Sequence, residues 1–411
     1  MKNICFITSS KTLMPPIKGG AVAQLVHLIC KENEKKPQFH ITVICHSNKE
    51  TLLLQSKFKY TKFINYHNGG YILNKFIWKI RGFLRLFTNK SFYFLHPYEI
   101  QVNQYLGDHT NEFDLIIAEA CDKNQFEYAV KRYGNSRFCF HAHYVLQSNS
   151  QMDYCHGSLI SLSKYSLNKY LSTSTLNQKR AFLLHNAIDI SAFTTILKDH
   201  PNIKLKNQLG FQPDDFVIAF CGRLVPEKGV LELIQAVLSI NISKIKLLII
   251  GSSNFGLGNS GKYAQKVLKI SKNSDRIKYT GFIPNNKIPE YYKIADIGIT
   301  PSRYEEGFCL VLLEMMASGL PTIATERGGM TEVATPKTTL FIKDDYNIVT
   351  SIKQGILDLY YSPEKRKVYS QNAVERSLLF DKSIYFENFT NIVNNIVEQN
   401  QKIISTKPNN E

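Results

Sequence analysis

Short runs of apolar residues alternate with longer amphipathic stretches along the whole chain, and this pattern predicts the fold. Apolar runs rich in Val and Ile, with little polar alternation, are typical of parallel strands buried on both faces of a sheet. The runs in the first half are NICFIT, ITVICH, FKYTKFINY, DLIIAEA, RFCFHAH, LISLS and FLLHN, and those in the second half are FVIAFCG, IKLLIIG, RIKYTGF, IADIGIT, LPTIAT and TLFI. Because both sets alternate with helical stretches, we predict right-handed β-α-β units in two doubly wound parallel sheets, an α/β fold.

A polar stretch near the middle of the chain separates the two sets of strands. Residues 191–215 contain Pro201 and Pro213. The predicted order is a first Rossmann-like domain over residues 1–190, a linker over 191–213 and a second Rossmann-like domain over 214–383. The length of 411 residues is in keeping with two or three domains.

Two carboxylates in residues 301–319, PSRYEEGFCLVLLEMMASG, carry the strongest functional signal. Glu306 precedes a Gly-Phe turn, and Glu314 lies in an apolar stretch that predicts a buried helix ending at Gly319. If that helix begins near Phe308, both acids can face one cavity in front of its N-terminus. Free N–H groups and the positive end of the helix dipole favour a phosphate in such a cavity.

This stretch resembles the E-x7-E signature of the retaining glycosyltransferases of family 4, the glycosyl transferases group 1, which have the GT-B fold of two Rossmann-like domains facing across a cleft. Four other segments are similar to the family in the same chain order, and they read PPIKGGA, HNAID, CGRLVPEKG and RGGMTEV. E-x7-E alone is a weak pattern, whereas five elements in order are specific. The resemblance implies that the first domain is the acceptor side and that the second binds a nucleotide-sugar. It also implies that residues 384–411 form a helix crossing back to the first domain.

Basic residues follow the strand FVIAFC directly, at the carboxyl end, where open α/β sheets bind ligands. Arg223 comes after Gly222, and Lys228 precedes another glycine. The fork of an Arg grips phosphate oxygens, and a Lys adds a compact charge. The resemblance implies that Gly222 contacts the donor and that Arg223 and Lys228 bind its diphosphate and stabilise charge on the leaving group. A surface loop with two solvated cations is the structural alternative.

The resemblance also assigns roles to the two acids. Glu314 is similar to the residue that accepts hydrogen bonds from the ribose hydroxyls, and Glu306 to the acid beside the donor sugar. Either one could instead be a helix-start acid favoured by the dipole. The donor-site residues implied between them are Gly307, Phe308, Cys309 and Leu310. Cys309 stands where the family usually has Gly, so backbone angles that favour Gly would strain this turn.

Two features of the predicted first domain are similar to donor-facing positions of the family. Gly19 and Gly20 lie between the strand NICFIT and a helix, where backbone N–H groups can approach a diphosphate; alone, a Gly-Gly pair is more often a plain turn. His143 ends the strand RFCFHAH and aligns with a His whose side chain or backbone meets the donor sugar, with His141 as the second candidate. A buried core histidine is the alternative for either one. Tyr144 replaces the Asn of the family.

Two further loops have mixed interpretations. HNAID resembles the N-G-x-D turn of the family, and we predict that Asn186 and Asp189 chiefly build a turn between the domains. Gly328 and Gly329 follow the strand LPTIAT and are predicted to close the donor pocket. Glu332 beside them either joins that pocket or caps a helix.

The net charge of +16 is unevenly placed along the chain. Residues 1–200 hold 24 Lys and Arg against 13 Asp and Glu, a net of +11, whereas residues 201–411 have a net of +5. Residues 73–87, LNKFIWKIRGFLRLF, add aromatic and basic side chains that suit the interface of an anionic membrane. Packing on a sheet and a lysine-rich proteome are the alternatives. No RNA- or DNA-binding motif stands out, so we predict peripheral membrane contact and no nucleic-acid partner.

The remaining composition argues against disulfides, metals and membrane spans. The eight cysteines are scattered singly, without C-x-x-C spacing, so neither a disulfide framework nor a zinc site is indicated. No Asp-x-Asp metal motif stands out, and we expect no metal or other cofactor. The N-terminus MKNICFITSSK reads as a first strand rather than a signal peptide, and no window has about eighteen uncharged apolar residues. We therefore expect a cytoplasmic protein, at the inner face of the plasma membrane if it binds lipid.

Together these features predict a metal-independent retaining glycosyltransferase. It would move a sugar from a nucleotide diphosphate-sugar, with UDP-sugars favoured, to a hydroxyl of a carbohydrate or lipid-linked acceptor in bacterial surface polysaccharide or glycoconjugate synthesis. Two other classes stay open: a GT-B nucleotide-sugar epimerase, and a non-catalytic GT-B subunit of a glycosyltransferase complex. The intact set of Glu306, Glu314, Arg223 and Lys228 argues against both.

Overall fold

The computed structural model describes residues 1–10, 12–17, 20–66, 97–119, 127–148, 153, 155–194, 202–252 and 261–405. Gly19 and the aromatic, basic stretch 73–87 therefore lie outside the described residues. The chain divides into two units, which we call unit 1 (residues 1–185 and 383–411) and unit 2 (residues 186–382).

Unit 1 is built on a seven-stranded sheet whose neighbouring strands are all parallel. The strands are β1 Lys2–Ile7, β2 Phe39–Cys45, β3 Thr61–Asn65, β4 Leu115–Glu119, β5 Phe138–Ala142, β6 Ser158–Ser161 and β7 Ala181–Leu183, in the spatial order β3-β2-β1-β4-β5-β6-β7. Helices described between them are α1 Ala21–Lys35, α2 Lys49–Gln55, α3 Pro97–His109, α4 Glu127–Tyr133 and α5 Lys164–Leu171, with 3-10 turns at Thr110–Glu112 and Gln178–Arg180. This is the order of a doubly wound dinucleotide-binding sheet.

Unit 2 contains a six-stranded sheet, also parallel throughout. The strands are β8 Phe216–Cys221, β9 Ile245–Ile250, β10 Ile277–Gly281, β11 Ile297–Thr300, β12 Thr322–Thr325 and β13 Thr339–Ile342, in the spatial order β10-β9-β8-β11-β12-β13. The described helices are α6 Ser191–Thr194, α7 Ile203–Gln208, α8 Val230–Leu238, α9 Lys262–Lys272, α10 Ile288–Tyr292, α11 Leu310–Ala317, α12 Met330–Val333, α13 Ile348–Tyr361 and α14 Pro363–Ser377, with 3-10 turns at Pro226–Lys228, Asn285–Lys287 and Leu378–Phe380. All thirteen apolar runs predicted as strands are strands, so the predicted pair of parallel-sheet Rossmann-like domains is confirmed.

The last helix, α15 Lys382–Ser405, packs on the sheet of unit 1. Phe389 stacks on Phe6 of β1 with ring centroids 5.7 Å apart. Lys2 Nζ donates to Asn394 Oδ1 at 2.5 Å, and Arg180 donates to Asn400 Oδ1 at 2.7 Å. An aromatic contact and two side-chain hydrogen bonds thus hold the end of the chain against strands that lie far away in the sequence.

The stretch 191–213, which the sequence suggests is a linker, contains α6 and α7 and belongs to unit 2. Phe211 is 2% exposed, so this stretch contributes to the core. Lys206 Nζ donates to the carbonyl oxygens of Pro213 and Asp215 at 3.0 and 2.8 Å, which ties α7 to the start of β8. In the described residues 202–213, polar side chains therefore take part in local hydrogen bonds.

Parallel strands bring their carboxyl ends to one edge of each sheet. In unit 1 this edge carries Glu119 and His141, which are register partners in β4 and β5. In unit 2 it carries the segments after β8, β11 and β12. In the part of the chain that is described, no helix combines the length and the apolar character that a membrane crossing requires.

Candidate functional site

The loop after β8 lies directly against the loop after β11 in unit 2. Gly229 has a φ of +67°, and a Cβ at this position would be 2.1 Å from the carbonyl oxygen of Pro301. Arg303 N donates to the carbonyl oxygen of Glu227 at 2.7 Å. Only a glycine allows this approach, and the approach brings Lys228 next to the residues that follow Pro301.

Lys228 and Glu306 form a partly buried ion pair with two supporting hydroxyls, and we call these residues, with Ser302 and Tyr304, the Glu306 cluster. Lys228 Nζ lies 2.5 Å from Glu306 Oε1, which also accepts from Ser302 Oγ at 2.6 Å. Tyr304 OH donates to Glu306 Oε2 at 2.6 Å and accepts from Lys228 Nζ at 3.1 Å. Both carboxylate oxygens of Glu306 are therefore satisfied.

The charges of the Glu306 cluster stabilise one another. Burial alone would lower the pKa of Lys228, but the adjacent Glu306 carboxylate outweighs it and raises the pKa, so Lys228 stays cationic. Its Nζ also lies 5.0 Å from the ring centroid of Tyr304, a cation–π contact. Burial and the Glu306 charge raise the pKa of Tyr304 to about 12, so its hydroxyl remains a donor.

A second glycine loop supports the backbone of Glu306. Gly329 N donates to the carbonyl oxygen of Glu306 at 2.7 Å. Gly328 has a φ of +51°, and a Cβ there would lie 2.3 Å from the same oxygen. Arg327 pairs with Asp344 at 2.7 Å and with Glu305 at 3.0 Å, which anchors both loops. In unit 2, these glycines therefore hold the Glu306 loop in shape.

Cys309 adopts the left-handed conformation expected for a glycine position. Its φ is +54°, and among the described residues it is the one non-glycine with a positive φ. It occupies the N-cap of α11, and its carbonyl accepts from Leu312 N at 3.2 Å. Burial and the charge of Glu306 raise the pKa of its thiol to about 12, so the thiol is protonated. The tight turn survives the substitution of Gly by Cys, at the cost of backbone strain.

Glu314 lies on α11 and is only lightly hydrogen-bonded. Its Oε2 accepts from the buried Tyr292 OH at 3.5 Å. Burial raises the pKa of Glu314 to about 7. The charges of Glu306 and Glu314 both raise the pKa of Cys309, which places that thiol within electrostatic reach of the two acids. A half-ionised carboxylate with spare acceptor capacity suits a ligand that brings hydroxyl donors.

The other residues implied by the resemblance lie around this core. Arg223 is exposed in the loop after β8, and Gly222 N donates to Ile250 O at 3.0 Å. Phe308 is buried and packs edge-on against Phe380 with ring centroids 5.3 Å apart. Gly307 precedes it, and Leu310 is the first residue of α11. These positions place the predicted donor residues of unit 2 along two adjacent loops and one helix start.

Asp189 lies at the junction where unit 2 begins and ends, beside the buried Asn186. Asp189 pairs with Lys382 and accepts from Ser191 Oγ at 2.6 Å. Ile188 N donates to Phe380 O at 3.1 Å.

Unit 1 carries a second cluster of functional side chains, which we call the Glu119 cluster. Glu119 Oε1 lies 3.1 Å from His141 Nδ1, and Glu119 Oε2 lies 2.5 Å from His143 Nε2. The imidazole rings of the two histidines are 4.0 Å apart. All three side chains are at most 4% exposed. Elsewhere at the same edge, Gly20 forms the N-cap of α1 with open space beside its Cα.

The Glu119 cluster also meets the composition of a metal site, since its three ligand atoms lie within 4.8 Å of one another. The pairing is that of hydrogen bonds, however. Each histidine faces a different carboxylate oxygen, and a separation of 2.5 Å is short for two ligands held at 2.0–2.2 Å around one zinc ion. Burial alone would raise the pKa of Glu119, but the two histidines lower it to about 2. Burial and the neighbouring His141 lower the pKa of His143.

Three functional side chains were missed by sequence reasoning. Ser302 and Tyr304 lie inside the segment already singled out, so their spacing from Glu306 was an available signal. Glu119 is 22 residues from His141 in the chain. Its only sequence signal is its position at the end of the strand run DLIIAEA.

Residues 201–376 match the family model described as Glycosyl transferases group 1. A lipopolysaccharide 1,2-N-acetylglucosaminetransferase of Salmonella typhimurium is 36% identical over 140 residues, which are 33% of this chain and 36% of that protein. A GDP-mannose-dependent monoacylated alpha-(1-6)-phosphatidylinositol monomannoside mannosyltransferase of Corynebacterium glutamicum is 29% identical over 214 residues, 48% of this chain and 53% of that protein. The chain thus matches about a third to a half of the length of these curated relatives.

Solved structures extend the similarity to the whole fold. Anabaena Alr3699/HepE in complex with UDP and glucose has a TM-score of 0.72 at 18% identity, covering 96% of this chain and all of that chain. WaaG, a glycosyltransferase involved in lipopolysaccharide biosynthesis, has a TM-score of 0.66 at 14% identity, covering 95% and 99%. The predicted GT-B fold class is therefore confirmed.

Proposed function

We propose, from the match of residues 201–376 to the family model described as Glycosyl transferases group 1, that this chain is a retaining glycosyltransferase that takes a sugar from a nucleotide diphosphate-sugar. The observation that carries the proposal is the partly buried pair of Lys228 and Glu306, 2.5 Å apart beside the start of α11. A cation, an acid and a helix N-terminus together suit the diphosphate and the hydroxyls of such a donor.

Lys228 and Arg223 would supply the main electrostatic stabilisation. In the chain without ligand, Glu306 neutralises Lys228; a bound diphosphate would share that cation, and Glu306 would turn toward the sugar hydroxyls. Arg223 is exposed and can fold onto the phosphate oxygens in a fork. Hydrogen-bond donors that point at the charge growing on a leaving group contribute most when the site is preorganised. The contacts of Tyr304 and Ser302 to the pair of Lys228 and Glu306 would preorganise this site.

Glu314 would bind the ribose. Its carboxylate has one weak partner, Tyr292, and retains acceptor capacity for a vicinal diol. Gly222, Gly307, Phe308, Cys309 and Leu310 would line the donor on unit 2.

We propose that transfer proceeds with retention and without a metal. The acceptor oxygen would form its bond to the anomeric carbon on the face from which the diphosphate leaves. The bond from that carbon to the phosphate oxygen breaks, and the phosphate takes the proton of the acceptor hydroxyl. Lys228 and Arg223 would carry the charge that a metal carries in other transferases, so activity should persist in EDTA.

The identity of the donor is supported only by relatives. HepE is described in complex with UDP and with UDP-glucose, which favours a UDP-sugar. The Corynebacterium relative is GDP-mannose-dependent, which keeps a guanine donor in the test. The Salmonella relative and WaaG both concern lipopolysaccharide, which supports a carbohydrate or lipid-linked acceptor in surface polysaccharide or glycoconjugate synthesis.

A thermal-shift screen over UDP-, GDP-, ADP- and dTDP-sugars tests the donor directly. A donor present at a hundred times its Kd should stabilise the fold by about 2.7 kcal/mol. Product analysis by NMR would then give the anomeric configuration, with and without EDTA. An inverted product would contradict retention, a free epimerised sugar nucleotide would indicate an epimerase, and no stabilisation by any donor would favour a non-catalytic subunit.

A cytoplasmic location at an anionic membrane is also a proposal. It is supported by the net charge of +11 over residues 1–200 and by the composition of residues 73–87. Each Lys or Arg near an anionic leaflet contributes about 1 kcal/mol. Liposome sedimentation of the protein and of its Lys75→Glu/Lys79→Glu/Arg85→Glu variant tests it. Equal pelleting, or none at low salt, would contradict the contact.

A further inference from the structure

A chain of ion pairs in unit 2 lies around the loop that carries Glu306, and the proposed chemistry uses none of its members. Its five side chains are, in order of contact, Glu232, Arg303, Asp344, Arg327 and Glu305, and we call them the Asp344 network. We propose that Asp344 is a positioning residue that acts through the two arginines to hold Glu306 and Lys228 in place for transfer. This deepens the proposed function and rests on it for the identity of the reaction.

Asp344 is the centre of the network because each of its carboxylate oxygens accepts from a different arginine. Arg303 Nε donates to Asp344 Oδ1 at 3.2 Å, and Arg327 Nη2 donates to Asp344 Oδ2 at 2.7 Å. Arg327 Nη2 also donates to the carbonyl oxygen of Asp344 at 3.2 Å. The Asp344 side chain is 5% exposed, so these contacts are screened less than ion pairs on the surface.

The network joins the segments that follow four neighbouring strands. Strands β8, β11, β12 and β13 are adjacent in this order in the sheet of unit 2. Glu232 lies on α8, which follows β8; Arg303 follows β11, Arg327 follows β12 and Asp344 follows β13. Parallel strands bring these segments to one edge of the sheet. The ion pairs therefore fix segments that are distant in the sequence relative to one another.

Arg303 connects Asp344 to Lys228. Its backbone N donates to the carbonyl oxygen of Glu227, the residue before Lys228, at 2.7 Å. Its Nη1 donates to Glu232 Oε1 at 2.7 Å, on the helix that begins just after Lys228. The contact of Asp344 with the Arg303 guanidinium thus limits where the Lys228 backbone lies.

Arg327 connects Asp344 to Glu306. Its Nη1 donates to Oε1 of Glu305, the neighbour of Glu306, at 3.0 Å. Gly329, two residues after Arg327, donates from its backbone N to the carbonyl oxygen of Glu306 at 2.7 Å. Asp344 is therefore the side chain that both connections share, one leading to the cation of the proposed site and the other to its acid.

Stabilisation of the fold alone is the alternative role for the network. Ion pairs of exposed side chains contribute little to stability, and Arg303 and Arg327 are 38% and 32% exposed. The positions of two charged groups at a reacting centre matter more, since a displacement of about 1 Å there can lower a rate by about 10²-fold. We therefore expect the network to affect the rate of transfer more than the stability of the fold.

Amide hydrogen exchange of the chain without ligand measures the positioning directly. In Asp344→Asn one acceptor oxygen becomes an NH₂ group, which cannot accept from an arginine. We expect the N–H groups of Arg303 and Gly329 to exchange about tenfold faster or more, because a hydrogen bond to a charged group is worth at least that factor. The N–H of Phe216, which donates to Lys244 O at 2.8 Å at the opposite edge of the sheet, should exchange as in the wild type.

Kinetics provide the second readout. Asp344→Asn should lower kcat by about tenfold to 10²-fold with the donor selected by the thermal-shift screen. Affinity for the free nucleoside diphosphate should change far less than kcat, because Glu314, the proposed ribose partner, lies on α11 outside the network. Asp296→Asn is the matched control: this partly buried acid accepts from Val217 N at 2.7 Å at the opposite edge of the same sheet, and the variant should keep the wild-type kcat.

Arg327→Gln interrupts the same path at a side chain that is 32% exposed, and it replaces Asp344→Asn as the test if that variant does not fold. It should speed exchange at the Gly329 N–H and lower kcat in the same direction. Two changes on one path are not additive. The double variant Asp344→Asn/Arg327→Gln should therefore be no slower than Asp344→Asn alone.

The outcomes separate this inference from the proposed function. Wild-type exchange at Arg303 and Gly329 in Asp344→Asn would overturn the positioning role, and so would losses of kcat that multiply in the double variant. Faster exchange with a wild-type kcat would leave the network a role in the fold alone, which also overturns the inference. A chain that transfers no sugar from any donor would overturn the proposed function, and the exchange rates would still decide whether Asp344 holds the Glu306 loop.

Discussion

A buried glutamate is the centre of each cluster, but the two glutamates are satisfied by different chemistry. Glu306 in unit 2 accepts from a lysine and from two hydroxyls, within a segment where all but Lys228 are close in sequence. Glu119 in unit 1 accepts from two imidazoles at the end of a neighbouring strand. A lysine compensates the first carboxylate, whereas two imidazoles compensate the second.

The difference indicates what each cluster can do with a ligand. Glu306 raises the pKa of Lys228, so Lys228 keeps its charge. In the proposed function, this cation would pair with the diphosphate of the donor instead of with Glu306. The Glu119 cluster has no permanent cation to share among its three members. Its carboxylate holds one ring on each oxygen. The Glu306 cluster thus contains a lysine cation, whereas the Glu119 cluster contains two imidazoles held on one carboxylate.

Removal of the cation should give the largest effect. We expect Lys228→Ala to lower kcat/KM by at least about 10²-fold, because a contact to the charge of the leaving group is worth roughly 3 kcal/mol. Arg223→Ala should act in the same direction. Initial rates at saturating acceptor measure both. Lys244→Ala, whose pair with Asp214 is exposed, is the matched control and should keep wild-type rates.

Lys228→Ala also leaves Glu306 buried without its cation, which costs about 3–5 kcal/mol of stability. Melting curves must therefore accompany the rates. Near-wild-type turnover in both Lys228→Ala and Arg223→Ala would contradict the assignment of the cations.

Tyr304→Phe tests whether the Glu306 cluster also depends on orientation. The change keeps the ring beneath Lys228 but removes the donor to Glu306 Oε2 and an acceptor for Lys228 Nζ. Hydrogen bonds to charged groups contribute about 1.5–3 kcal/mol, so we expect kcat/KM to fall by roughly tenfold to a hundredfold. Tyr263→Phe, which removes a bond to the Leu231 N–H outside the cluster, is the control. Equal rates in the two variants would show that Lys228 and Glu306 need no third partner.

Glu314 makes the comparison dependent on pH. Burial raises its pKa to about 7. Ribose hydroxyls donate to the ionised carboxylate, so ligand binding favours the ionised form, and affinity for UDP should rise as the pH increases from 6 to 8, by about tenfold. Calorimetry measures this. Glu314→Gln separates the effect from titration of the nucleotide's own phosphate, and parallel pH profiles in the two proteins would contradict the role of Glu314.

Cys309→Gly should give the smallest effect, and it acts on stability. The left-handed backbone of Cys309 costs about 1–2 kcal/mol, while a glycine loses about 0.5–1 kcal/mol of backbone entropy on folding. We expect a net gain of about 0.5–1 kcal/mol in the free energy of unfolding, measured by urea denaturation. Cys309→Ala keeps the strain and removes the thiol, so it should show no gain. Equal stability of the two variants would mean that the turn is not strained.

The chain pattern alone determined the strands and the two parallel sheets, and the family resemblance added the predicted donor residues. Buried parallel strands are nearly continuous apolar runs, and such runs can be read without tertiary information. The donor residues Gly222, Arg223 and Lys228 follow one strand, and Glu306 and Glu314 lie in one segment, so short-range spacing suffices to group them. The expectation of strain at Cys309 is likewise a local property of the backbone.

Only the tertiary structure decided which side chains satisfy the buried acids. Lys228 and Glu306 follow different strands, and they meet because β8 and β11 are neighbours in the sheet. Glu119 had no signal of its own until β4 paired with β5 and placed it opposite His141. Hydrogen bonds and ion pairs depend on distances of about 3 Å between atoms that strand pairing brings together. The order of residues along the chain does not contain those distances.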